Sequence, residues 1–173
     1  ANIDKINQML CQTGIHKLKD TYDDEVYYKA CCINAAEFQE ELLNFGRATI
    51  EFDCDPYRYF EIGSVSELET PSGYTINNST GFESLPKILL IASPGATCTL
   101  HFGATAYTVK MPTDSSYLYI DSETMDCYWG DKKYNVAIQF EEFPTLKPGK
   151  TKIQYTASSG NIHLYITPRW RKI

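Results

Sequence analysis

The chain has 173 residues, 43% of them hydrophobic and 22% charged, with a net charge of -6 and a pI near 5.1. That length holds one ordinary domain or two small ones, and the apolar fraction supports a packed core rather than wholesale disorder. The acidic balance argues against a duplex-binding protein, which shows a basic footprint, and no apolar run approaches the ~18 residues needed to span a bilayer.

The N-terminus has no charged segment leading into an apolar block, so no cleavable secretory signal is read. No Met stands first, and the chain reads as a processed or truncated product. Ile3, Ile6 and Leu10 fall at helical spacing, with Asn2 as a cap and Gly14 as a stop, which predicts a short helix over residues 3–11. An acidic loop follows over 20–24. Residues 25–32, rich in Val and Tyr, read as a strand. The segment 34–45 is ambiguous between a helix and a bent strand. Residues 47–54 alternate cleanly, placing Ala48, Ile50 and Phe52 on one face of a strand, and Asp55-Pro56 reads as punctuation after it.

A linker or joining strand then runs from 57 to about 63. Beyond it the character changes to short strands separated by turn residues. Strands are expected near 73–77, 87–92, 97–102, 106–110, 117–121, 125–129, 152–156 and 162–167. Pro94-Gly95, Gly103, residues 121–124 and Ser159-Gly160 supply turns between them. Regular short strands without intervening helices predict an antiparallel sandwich or barrel. In 125–129 the alternation puts Met125, Cys127 and Trp129 on one face, read as core.

No chemistry-bearing constellation emerges. His16, His101 and His163 lie on different expected elements, with no metal-ligand spacing between them. Asp20, Asp23, Asp24, Asp53 and Asp55 lack the Gly and terminal Glu of a calcium-binding loop. There is no nucleophile elbow, phosphate loop or dinucleotide glycine pattern. The six cysteines, Cys11, Cys31, Cys32, Cys54, Cys98 and Cys127, lack the paired short intervals of a zinc site. The neighbours Cys31 and Cys32 point to opposite faces of a strand, so all six are expected as free thiols. Asn78-Ser79-Thr80 is a formal glycosylation sequon. No catalytic, cofactor or metal residue is assigned.

The C-terminus is the most distinctive stretch. Pro148-Gly149 suits a type II turn, Pro fixing φ at the first central position and Gly accepting positive φ at the second. Ile153 and Tyr155 alternate with polar neighbours, as do Ile162, Leu164 and Ile166. Pro168 cannot donate to a ladder and ends the last strand. The pair F-P-x-L-x-P-G and I-x-P-R-W-R resembles the C-terminus of phage distal tail (Dit) proteins. Residues 17–30, an acidic loop before a tyrosine-bearing strand, and residues 48–59, A-T-I-E-F-D-C-D-P-Y-R-Y, are similar to the same family in the same order. Residues 64–142 match it only in strand rhythm.

The resemblance implies a mostly β chain. A galectin-like antiparallel β-sandwich over 61–173 would follow a small α+β segment over 1–60, part of a ring-forming domain. Family members begin upstream of Ala1, so the ring-forming domain reads as incomplete, and with the implied hexameric ring weakened or lost this chain is expected to be monomeric or weakly associating. Thr151 stands where many members carry Asn. The implied function is structural: a tail-tip ring in the virion, made in the bacterial host cytoplasm. It would link the tail tube to the receptor-binding or tail-fibre apparatus, with tape-measure and tail-associated lysin proteins as further partners, and without nucleic acid, membrane or cofactor. The alternative is a carbohydrate-binding module that aids adhesion to the host wall, with Trp129 and Tyr117, Tyr119 and Tyr128 as its aromatics. Trp170 is expected to cover an apolar edge, flanked by Arg169 and Arg171 in exposed ion pairs.

Overall fold

The computed structural model describes residues 12–34, 49–64, 67–138 and 142–173, with Lys5, Glu41 and Asn44 as single positions. The helix expected over 3–11 and the ambiguous 34–45 lie almost wholly outside them. The chain forms two compact units, Ala1–Tyr59 with Ile173, and Phe60–Lys172.

In the first unit three strands lie side by side in the order β1 (His16–Leu18), β2 (Val26–Cys32) and β3 (Phe52–Phe60). β1 and β2 are antiparallel, His16 facing Ala30 and Leu18 facing Tyr28. Val26 and Ala30 are buried, as period-2 alternation in V-Y-Y-K-A-C-C requires. The third strand departs from expectation. It begins at Phe52 rather than 47, and it runs through Asp55-Pro56 instead of stopping there. Two local devices explain this. The Asn34 side chain donates to the Thr49 carbonyl and accepts from the Glu51 N–H, each at 2.8 Å, so a side chain takes two backbone groups there while the Ile33 N–H donates to the Glu51 carbonyl at 3.0 Å. Past Pro56, which lacks a donor, Asp55 accepts from the Tyr57 N–H at 3.1 Å and from the Tyr59 hydroxyl at 2.8 Å, so the side chain satisfies what the proline breaks.

The second unit is a β-sandwich. One sheet has six strands in the order β11 (Lys132–Lys133), β10 (Asp126–Trp129), β9 (Tyr117–Asp121), β6 (Lys87–Ile91), β13 (His163–Thr167) and β4 (Leu68–Glu69). The other has four: β5 (Thr75–Asn78), β12 (Gly149–Ala157), β7 (Thr97–Phe102) and β8 (Thr105–Lys110). A short 3-10 turn covers Asn135–Ala137, and β14 is Arg171–Lys172. The strand pairs within both sheets are antiparallel. Ile88, Leu90, Leu118, Ile120, Leu164 and Ile166 from the first sheet meet Ile76, Ile153, Leu100, Phe102 and Val109 from the second in one continuous core.

The expected strands are present with their ends moved by up to three residues. β12 is the longest extension, beginning at Gly149 itself, whose φ is 94°. The two-residue strands β4, β11 and β14 carry too little pattern to be read. The expected face of Met125, Cys127 and Trp129 is corrected. Cys127 is fully buried and Trp129 packs at the core's margin, but Met125 is 65% exposed with φ of 53°. Asp121 accepts from the N–H groups of Glu123 and Thr124, which tightens the turn and spends Met125 within it.

At the C-terminus β13 ends before Pro168, as Pro168 requires. Arg169 then takes φ of 55° and donates its N–H to the Gly63 carbonyl at 2.8 Å, while Phe60 donates to the Trp170 carbonyl at 2.9 Å. Gly63, with φ of 85°, leaves room for the indole: a Cβ there would lie 2.7 Å from Trp170 Cδ1. Trp170 therefore covers an apolar margin of the core, as expected.

Candidate assembly surfaces

Alternation along each strand fixes what the sandwich shows to its surroundings. With Leu118, Ile120, Leu90 and Leu164 turned inward, the six-stranded sheet turns outward a register row of Tyr128, Tyr119, Leu89, Tyr165 and Glu69, one from each of five adjacent strands. Tyr117, Ile91 and His163 form a second row beside it. Tyr119 and Tyr128 stack at 5.4 Å and 25°, and Tyr117 meets Tyr119 edge-on at 6.0 Å. The Lys87 ammonium lies 4.4 Å from the Tyr119 centroid and 5.6 Å from that of Tyr128. The tyrosines are half-buried by one another, and Tyr117 is 37% exposed. This is an ordered aromatic face presenting ring edges and hydroxyls, the composition of protein interfaces.

The first unit repeats the motif. Tyr27 and Tyr59 stack at 5.7 Å, with Lys17 4.4 Å above Tyr27 and Lys29 4.2 Å above Tyr59. Such cation–π contacts are worth roughly 0.5–1 kcal/mol at exposed sites and hold the aromatics in fixed orientations.

At one end of the tyrosine face lies a largely buried ion pair. Arg169 holds Asp121 in a fork, Nη1 to Oδ1 at 2.6 Å and Nη2 to Oδ2 at 2.8 Å, with Glu123 3.2 Å from Nη1. The Asp121 and Arg169 side chains are only 6% and 19% exposed. Burial alone would raise the Asp121 carboxyl. The Arg169 fork and the two turn N–H groups overcome it, leaving the acid below its usual range. Sequence reasoning assigned Arg169 an exposed pair. The partners are 48 residues apart, and no local pattern joins them. Arg171 donates from Nε to the Glu83 carbonyl at 2.6 Å.

The residues weighed for chemistry remain apart. His16 hydrogen-bonds the Thr13 carbonyl from β1, while His101 and His163 sit on β7 and β13 in opposite sheets. Among the described residues no group of three His, Cys, Asp or Glu could hold a metal ion, and no helix is long and apolar enough to cross a membrane. Cys31, Cys32, Cys54, Cys98 and Cys127 are free thiols. Burial pushes Cys98 up to about 11 and, with help from Asp126, Cys127 up to about 12. Neither is a thiolate near neutral pH. Asn78 is 2% exposed, and its amide donates to the Phe82 and Leu146 carbonyls at 2.8 Å each. The sequon asparagine is thus a structural clamp. Trp129 meets Tyr134 edge-on at 4.9 Å beneath Lys132.

Comparison with known proteins returns no matching family profile and no matching curated sequence. Solved structures do match. The chain is similar to the Dit protein of phage SPP1, described as a paradigm of the hub adsorption apparatus in phages infecting Gram-positive bacteria. The TM-score is 0.60 at 13% identity, over 99% of this chain and 70% of that one. A chain of the phage P2 baseplate in its activated conformation with calcium aligns at a TM-score of 0.46 and 13% identity, over 94% of this chain and 71% of that one. The fold is that of a phage tail hub protein.

Proposed function

We propose that this chain is a structural, non-enzymatic component of a phage or prophage tail tip, resident in the virion tail. Copies assemble as a ring that links the tail tube to the receptor-binding or tail-fibre apparatus. Tape-measure and tail-associated lysin proteins are further neighbours. Residues 1–60 belong to the ring-forming part and 61–173 to the galectin-like sandwich.

The observation that carries this reading is the fold likeness to the SPP1 hub protein over 99% of the chain, through both units. A likeness of fold alone leaves function open. The surfaces add support: the sandwich is filled by its own side chains, and its six-stranded sheet shows packed tyrosines rather than an open cleft. The stacked rings of Tyr119 and Tyr128 occupy each other's faces, with Lys87 over Tyr119, which leaves little platform for a sugar ring. The test is mass spectrometry of purified virions with immunogold labelling. Signal confined to the tail tip, at a few copies per particle, supports the reading. Absence of the chain from infectious particles refutes it.

A further inference from the structure

The two outer faces of the sandwich differ in kind. Opposite the tyrosine face, the four-stranded sheet is built from T-I-N-N, G-K-T-K-I-Q-Y-T-A, T-C-T-L-H-F and T-A-Y-T-V-K. These strands contain no Asp or Glu, in a chain whose net charge is -6. With Ile76, Ile153, Leu100 and Val109 turned inward, the outward rows pair Lys152 with Thr75, Thr156 with Thr99, Thr99 with Thr108, and Thr97 with Lys110. Lys110, Lys150 and Lys152 are exposed, and among the described residues none of them pairs with a carboxylate. The result is a cationic face of hydroxyls, amides, amines and threonine methyls, with the His101 imidazole in its row.

The first unit carries its complement. The loop over 20–25, D-T-Y-D-D-E, is ordered by its own side chains: Asp20 accepts from the N–H groups of Tyr22 and Asp23 at 2.9 and 3.1 Å, and Asp23 accepts from Glu25 at 3.3 Å. Its tip displays Tyr22, 96% exposed, between the exposed carboxylates of Asp20, Asp24 and Glu25. An aromatic held fully in water on a rigid turn, ringed by charge, has the form of an interface anchor.

We propose that the acid-free face of the four-stranded sheet receives the 20–25 loop of a second copy of this chain. Lys150 and Lys152 meet the carboxylates of Asp24 and Glu25, and Tyr22 lies across the threonine rows. The contact joins different patches on the two copies, so it is heterologous, the class of contact that builds a ring where its rotation closes. It rests on the reading that copies of this chain assemble.

The test is sedimentation of the chain over a concentration series at low and high salt. Rim charges are screened within ~10 Å at 0.1 M salt, so association should weaken as salt rises. Lys150→Glu/Lys152→Glu and Asp24→Lys/Glu25→Lys should each weaken self-association about tenfold or more, and Tyr22→Ala should weaken it without changing the salt dependence. Mixing the two charge-reversed proteins should restore association, because the reversed face of one then meets the reversed loop of the other, and native face meets native loop. Variants that associate like the parent leave ring assembly standing and overturn this contact. Loss without restoration on mixing overturns the loop as the occupant, in favour of another acidic protein. A parent chain that stays monomeric throughout overturns this contact, while the tail-tip reading keeps its own test in the virion.

Discussion

Replacing Arg169 with Met should be among the most damaging single changes to the sandwich. The side chain is of similar length, so the loss is chiefly electrostatic. Asp121, 6% exposed, would keep only the Glu123 and Thr124 N–H groups as partners. Removing one member of a buried ion pair costs roughly 3–5 kcal/mol, because the other charge stays buried and uncompensated. Asp121→Asn should fall lower in that range, since Arg169 is more exposed and keeps Glu123 at 3.2 Å. The double change should recover part of the loss. At roughly 3–5 °C per kcal/mol for a domain of this size, Arg169→Met lowers the midpoint by ~10 °C or more. Urea unfolding followed by circular dichroism reads the effect. The pH dependence has a definite sign. Asp121 has its carboxyl lowered in the fold, so the stability it contributes is present above its unfolded pKa near ~4 and is lost as pH falls through the lowered value. The gap between parent and Arg169→Met is therefore full at neutral pH and narrows in acid. A loss below ~1 kcal/mol, or a gap unchanged down to the acid limit of folding, would show that water rather than the fold solvates the pair.

Gly63→Ala should destabilise clearly in thermal melts, because its φ of 85° disfavours any Cβ and the new carbon would meet Trp170 Cδ1 at 2.7 Å. Trp170→Ala should cost roughly 2–4 kcal/mol, below a full core deletion because the ring is only part-buried; unchanged stability with lost assembly would reassign Trp170 to an interface. Toward a thiol reagent at pH 8, exposed Cys54 should react fastest among the described cysteines, while Cys98 and Cys127, pushed to about 11 and about 12, react only on unfolding. Glycan arrays should show no saturable binding; binding abolished by Trp129→Ala or Tyr117→Ala in a folded protein would restore the lectin reading.

The parts of the fold that were legible are those where burial imposes a two-residue period. The strands over 97–102 and 117–121 match residue for residue because C-L-F and L-I alternate with polar or aromatic outward neighbours. Where the backbone is decided by one side chain bonding a distant or local amide, the period is silent. Asp55 carries a strand through a proline, Asn34 takes the Thr49 carbonyl and the Glu51 N–H with its side chain, and Asp121 turns Met125 outward. The ion pair of Arg169 and Asp121 lay beyond reach for the same reason, being a contact between chain segments rather than a pattern within one.

The surfaces were half legible, and the reason bears on how such a protein works. A sandwich needs only its inward rows to fold, so its outward rows are left free for contact. Here one outward face is spent on tyrosines locked by stacking and by Lys87, and the other on threonine and lysine with every acid removed. Neither choice helps the core. Stacked tyrosines have already given up rotamer freedom, so covering them costs less entropy than ordering loose chains. A face of one sign selects its partner's sign at long range but contributes little strength at each pair. Under the proposed tail-tip role, two faces with these different properties on one sandwich suit contact with several neighbours, one contact giving adhesion and the other orientation.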